Sequence, residues 1–176
     1  DSLLAAAPAL GDNDAYRYDV VNLTRQVLGL VGLPLVQRVE AAYARRDRPA
    51  LLAAEAQVTS LLGDLDTLAG TRPEFLLGRW IGAARRWGTS EGERRLYEWN
   101  ARNLITLWGT KCTEGENDDL NLYAYKEWAG MFSSYFLPRW EDFFARLNAS
   151  LESGTSFDRA PFAAASCEWE QGWSRD

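Results

Sequence analysis

The chain has 176 residues, 47% of them apolar, and a formal net charge of −6. That is enough material for one well-cored globular fold, and the acidic balance excludes the clustered basic face that nucleic-acid binding needs. The absence of histidine removes His-based acid–base catalysis and a Ser-His-Asp triad and makes a zinc site improbable.

Apolar runs are too short for the roughly 20 residues that cross a bilayer. The longest, Val27–Val36, is interrupted by Gly29, Gly32 and Pro34, so no membrane partner is expected. The N-terminus lacks the basic and then apolar pattern of a secretion leader.

Nearly every segment reads as helix. Asp1–Asp14 is Ala/Leu-rich and ends in a polar run whose Asp12, Asn13 and Asp14 are N-cap candidates. A first long helix is expected over Ala15–Arg46, on the stripe Val20, Leu23, Val27, Leu30, Val31, Pro34, Leu35 and Val39. Pro34 lacks a backbone donor, so a kink is expected there. A second helix should cover Pro49–Ala69, with proline in its first turn and Gly70 as the cap. A third should cover Pro73–Trp87, with Trp80 and Trp87 facing inward and Gly88 as its stop.

The fourth helix opens on a capping box, Ser90 with Glu93 three residues on, and should reach Gly109. Thr110–Asp119 is a polar loop. A fifth helix is expected over Leu120–Phe136, a sixth from a start or kink at Pro138 to Leu151, and a last one over Pro161–Trp173. Short loops between long amphipathic helices predict antiparallel neighbours. The fold class is therefore all-α, an up-and-down bundle of five to seven helices with kinks near Pro34 and Pro138, in a single domain over residues 1–176.

Two cysteines, Cys112 and Cys167, do not make a disulfide framework. Free thiols are the expected state, and a bond requires the loop of Cys112 to fold onto the C-terminal segment. With no CxxC pair and no calcium-loop spacing, no metal and no cofactor are expected.

Glycoside hydrolysis needs two carboxyl groups facing each other across the scissile bond. The acidic clusters Asp64/Asp66, Glu91/Glu93/Glu98, Glu114/Glu116/Asp118/Asp119, Glu127, Glu141/Asp142 and Glu168/Glu170 lie mostly on polar faces and read as solvated surface. No catalytic residue is assigned. Aromatic rings are abundant, and most fill the core. Trp108, beside the polar loop, and Tyr123, just after it, are placed where rings can stack on a sugar face, against the plainer alternative of packing. Asn100 and Asn103 read as scaffold, and the sequons at Asn22 and Asn148 fall within helices and read as chance matches.

Five ordered segments carry a family resemblance: YRYDVVNLTRQ at Tyr16–Gln26, RPEFLLGRW at Arg72–Trp80, LYEWNARNLITLWG at Leu96–Gly109, KEWAG at Lys126–Gly130 and YFLPRW at Tyr135–Trp140. From about Ala7 to Trp173 the chain resembles the C-terminal α-helical domain of α-N-acetylglucosaminidases, glycoside hydrolase family 89. The resemblance implies a part of an enzyme that removes terminal α-linked N-acetylglucosamine from glycans. Its two catalytic Glu would come from a (β/α)8 barrel that this chain does not contain. The partners implied are that barrel domain and a glycan ending in N-acetylglucosamine, and the isolated 176 residues are expected to be inactive. A secreted, periplasmic or lysosomal setting is likewise implied.

Leu107-Trp108-Gly109 matches the family's Leu-Trp-Gly motif, which lends Trp108 a substrate-binding role. Tyr123, Ala124 and Lys126 match part of an Asp-Tyr-Ala-Asn-Lys motif, in which Leu122 and Tyr125 depart from the pattern. Tyr123 is the second substrate-binding candidate on that basis. The rival reading is a non-catalytic helical carbohydrate-binding or interaction module. A third is a purely structural bundle with Trp108 and Tyr123 wholly buried.

Overall fold

The computed structural model describes residues 2–108, 112 and 124–175. Among them the fold is all-α, with six helices longer than two turns and two short ones. The chain divides into two compact units, Asp1–Leu76 with Glu127–Ser133, and Leu77–Lys126 with Ser134–Asp176.

The first unit contains α1 (Ser2–Ala5), α2 (Ala7–Leu10), α3 (Asp14–Ala44) and α4 (Arg48–Gly70). Asn13 caps α3 by accepting the Tyr16 N–H at 3.1 Å, and Asp47 caps α4 by accepting that of Ala50 at 3.1 Å. Between the two helices Arg46 takes a φ of 55°, and the Asp47 N–H returns to the Ala42 carbonyl at 3.0 Å. This tight reversal lays α4 back along α3. Val21, Val39 and Ala42 on α3 are buried, with Leu51, Ala54, Val58, Leu65 and Ala69 on α4.

Pro34 lies inside α3, where it removes the donor that would meet the Leu30 carbonyl. As one helix of 31 residues, α3 is also long and apolar enough to cross a bilayer by length and composition. The interrupted apolar runs of the sequence do not register this. Near its middle Arg25 is tied down, donating to the Glu127 carbonyl at 2.6 Å and lying 4.3 Å over the Phe75 ring.

The third expected helix is split. Pro73–Phe75 forms a single 3-10 turn, Leu76 is extended, and α5 covers only Leu77–Arg85. The cause is pairing at the break: Leu76 bridges Ala129, and the Ala129 N–H donates to the Phe75 carbonyl at 2.8 Å.

The same pairing corrects the expected helix Leu120–Phe136. Residues 124–130 are not helical, and the part before Ala124 lies outside the described residues. Asp66 on α4 accepts the Gly130 N–H at 2.7 Å and the Ser133 N–H at 3.3 Å, holding the segment extended up to that point. Gly130 has a φ of 89°, which a side chain would resist. From Met131 the chain is helical, with Phe132–Phe136 in a π-helical turn that runs into α7 (Leu137–Ser153). Pro138 sits in the first turn of α7, directly after that π-helical turn, and Gly154 ends the helix at a φ of 71°.

The second unit joins α5 to α6 (Glu91–Leu104), α7 and α8 (Arg159–Arg175). Trp80 on α5 donates its indole N–H to the Ala101 carbonyl on α6 at 2.9 Å. Arg102 on α6 lies 4.7 Å over the Trp173 ring of α8. The buried Tyr135 hydroxyl donates to buried Glu170 at 2.6 Å, and Arg139 pairs with the same carboxylate at 2.8 Å. Burial, followed by the Glu170 charge, pushes the Tyr135 hydroxyl far above its ordinary range, so it stays a donor. Phe143 packs on Trp140, Phe157 and Phe162 to close the α7–α8 contact.

Trp87 corrects the expectation of an inward ring. It lies beyond the end of α5, in the turn before α6, and is 81% exposed. Gly88 beside it is required by packing, because a Cβ there would meet the Arg94 backbone nitrogen at 2.6 Å.

Candidate functional site

The candidate site is the end of α6. The helix starts as the sequence predicts: Ser90 Oγ accepts the Glu93 N–H at 3.2 Å, and the Glu93 carboxylate reaches back to the Thr89 N–H at 2.7 Å. One side of α6 is then fixed by an Arg–Glu–Arg chain. Glu98 accepts from Arg85 at 2.6 Å and from Arg102 at 2.8 Å. Burial alone would push the Glu98 carboxyl up, but the hydrogen bonds from Arg85 and Arg102 outweigh it and hold the group below its ordinary value.

The helix ends at Leu104, five residues short of the expected Gly109. Ile105, Thr106 and Leu107 turn inward and are buried, with Thr106 Oγ1 donating to the Arg102 carbonyl at 2.7 Å. Two consecutive β-branched residues favour leaving the helix at this point. The Trp108 N–H then closes on the Asn103 carbonyl at 2.9 Å.

After three buried residues, Trp108 emerges 44% exposed. Its φ of 53° is unusual for a bulky residue, and such backbone strain concentrates at binding and catalytic sites. Trp108 is therefore not wholly buried, as the purely structural alternative would require. Leu96, Trp99 and Leu104 are exposed along α6 itself, as is Asn100, which therefore does not bridge buried helices. Asn103 does serve as scaffold, through its carbonyl. Tyr123 lies outside the described residues, as do Gly109 and the loop carboxylates Glu114, Glu116, Asp118 and Asp119.

The expectation of free thiols is overturned. Cys112 and Cys167 form a disulfide with their Cα atoms 5.7 Å apart, which ties Cys112 to α8. Two isolated cysteines without a framework gave no signal for it.

Three further carboxylates hold arginines. Glu91 pairs with Arg85 at 3.0 Å, Asp142 with Arg146 at 2.8 Å, and Glu127 lies 3.7 Å from Arg25. The sequons are also structural: the Asn22 side chain accepts from Arg25 at 2.8 Å, and Asn148 donates to the Phe144 carbonyl at 2.9 Å. A cavity of about 380 Å³ lies along α7 and α8, lined by Phe136, Arg139, Trp140, Phe143 and Phe162. Its charged member, Arg139, is already held by Glu170, so the cavity offers apolar surface.

Residues 1–176 match the family described as the alpha-N-acetylglucosaminidase (NAGLU) C-terminal domain. The chain belongs to that family. The human alpha-N-acetylglucosaminidase is 35% identical over 172 residues, which cover 97% of this chain and 22% of the human protein. A family 89 glycoside hydrolase from Clostridium perfringens, solved with 2-acetamido-1,2-dideoxynojirimycin, superposes with a TM-score of 0.85 at 25% identity, over 96% of this chain and 19% of that one. The same bacterial hydrolase solved with its substrate GlcNAc-α-1,4-galactose gives a TM-score of 0.84 at 25% identity, covering 95% of this chain and 19% of that one. The chain spans about a fifth of the length of the relatives it matches, and its all-α character is the one expected from sequence.

Proposed function

We propose that residues 1–176 act as one C-terminal domain of a glycosidase that removes terminal α-linked N-acetylglucosamine. The domain supplies one wall of the sugar pocket, with Trp108 as its stacking ring and Tyr123 as the second substrate-binding candidate. The catalytic carboxylates belong to a (β/α)8 barrel elsewhere in the longer protein. The observation that carries this reading is the Leu-Trp-Gly corner: buried Leu107 followed by an exposed, positive-φ Trp108, in a chain that matches the family throughout. The disulfide suits an oxidising compartment, in keeping with a secreted, periplasmic or lysosomal enzyme.

The test uses the full-length protein that carries this chain and a chromogenic N-acetyl-α-glucosaminide. Trp108→Ala is expected to lower kcat/KM about tenfold, the equivalent of about 1.4 kcal/mol of lost stacking. The 176 residues alone are expected to show no turnover. Turnover by the isolated chain, or an unchanged kcat/KM in Trp108→Ala, refutes the proposal. Saturable sugar binding by the isolated chain, lost in Trp108→Ala, would favour a stand-alone carbohydrate-binding module instead.

A further inference from the structure

Thr106 is the polar member of the buried turn Ile105-Thr106-Leu107 that leads to Trp108. Its side chain is fully buried, and its hydroxyl donates to the Arg102 carbonyl at 2.7 Å. In a continuing α-helix that carbonyl would accept the backbone N–H of residue 106. Here the Thr106 N–H goes to the Asn103 carbonyl at 3.3 Å, and the Trp108 N–H meets the same carbonyl at 2.9 Å. The hydroxyl has taken the place of a backbone donor, which is how Ser and Thr compete with helix. Burying a hydroxyl costs free energy unless it is bonded, and valine would fill the same space without that cost.

The last turn of α8 holds the other side of this corner. Ser174, also buried, lies with its Oγ 3.5 Å from Thr106 Oγ1 and donates to the Glu170 carbonyl at 3.0 Å. The Arg102 guanidinium donates to Glu98 at 2.8 Å and to the Trp173 carbonyl at 3.4 Å. The carbonyl that Thr106 engages thus belongs to a residue already fixed against α8.

We propose that Thr106 is a positioning residue for sugar binding: its hydroxyl ends α6 at Leu104 and so sets where the Trp108 ring stands. Without the hydroxyl, the Arg102 carbonyl takes the N–H of residue 106 and α6 runs on. Each residue added to a helix turns the chain by about 100°, so the ring leaves the pocket wall. This rests on the reading above that Trp108 stacks on the sugar.

The test uses the full-length protein that carries this chain and a chromogenic N-acetyl-α-glucosaminide. Thr106→Val keeps the branching and removes the hydroxyl. It is expected to raise KM about fivefold, the worth of one buried hydrogen bond, with kcat unchanged. Thr106→Ala also lacks the hydroxyl and is expected to raise KM as well, whereas Thr106→Ser keeps it and is expected to restore KM. In a Trp108→Ala background Thr106→Val is expected to add nothing, because it acts through the ring. Three results overturn the proposal: an unchanged KM in Thr106→Val and Thr106→Ala, whatever their melting temperatures; a KM raised equally in Thr106→Ser; and an effect of Thr106→Val that persists in full without the ring. A loss in Trp108→Ala with none in Thr106→Val sinks this inference alone. An unchanged Trp108→Ala sinks the stacking reading and this inference with it.

Discussion

The two units hold their helices together by different means. In the first, α3 lies on α4 through aliphatic side chains, with Val39, Leu51 and Ala69 fully buried. Asp14, which pairs with Arg72 at 2.7 Å, is 82% exposed. In the second unit the helices are joined by polar and aromatic contacts: the buried Tyr135–Glu170 hydrogen bond with Arg139 beside it, the half-buried Arg85–Glu98–Arg102 chain and the disulfide. Aliphatic packing tolerates a change of partner, whereas a buried hydrogen-bond network fixes one geometry. The unit that presents Trp108 is the one built in the second way.

Four experiments can break or sharpen this contrast, each read by hydrogen exchange resolved along the chain. Replacing Cys112 and Cys167 by Ser opens a loop with a sequence separation of 55. The expected loss is about 4 kcal/mol, confined to peptides of α5–α8, and loss spread equally over α3 and α4 would erase the distinction. Glu170→Ala strands Arg139 and the Tyr135 hydroxyl, at an expected cost of about 3 kcal/mol, again in the second unit. Leu51→Ala is its counterpart in the first unit. A cavity at a fully buried leucine costs about 3 kcal/mol, and the effect should not depend on reductant. Ser90→Ala removes the cap of α6 and is expected to cost about 1 kcal/mol.

Acid separates the units by salt dependence rather than by presence or absence. The Asp14 carboxyl is lowered first by its hydrogen bond from Arg72, and Glu98 is lowered by Arg85 and Arg102 against the penalty of burial. A carboxyl lowered in the folded state adds stability that is complete above its ordinary value, here 3.8 for Asp14 and 4.5 for Glu98, and is lost as pH falls through the lowered value. At high salt the exposed Asp14 pair is screened, and the half-sheltered Glu98 chain is screened less. Acid sensitivity of α5 and α6 should therefore survive added salt while that of the Asp14 contact fades. Equal screening of both would contradict the assignment.

Helix content, the Ser90–Glu93 start of α6, the Gly154 stop, the cap at Asn13 and the helix start at Arg48-Pro49 were legible in the sequence because each depends on residues within one turn. What periodicity could not show depends on distant partners. Leu76 and residues 124–130 look helical in isolation, but Leu76 bridges Ala129, and the Phe75 carbonyl and the Asp66 carboxylate claim the backbone donors of Ala129 and Gly130. The end of α6 looked continuous to Gly109 because Ile105 and Leu107 are as apolar as the helix before them. Burial of three successive residues there breaks the helical period. Trp108 is a candidate because of its place beside a polar loop and its match to the Leu-Trp-Gly motif, whereas the Cys112–Cys167 disulfide left no local signature.

The Asp66 contacts also bear on the order of synthesis. The first unit is discontinuous in sequence, because Glu127–Ser133 returns to it after α5 and α6 have been made. As the chain leaves the ribosome, α3 and α4 can pair early, but Asp66 must wait for Gly130 and Ser133 to emerge before its carboxylate finds its donors. Until then the nascent first unit carries an unsealed edge, and Trp108 has already been synthesised when that edge closes.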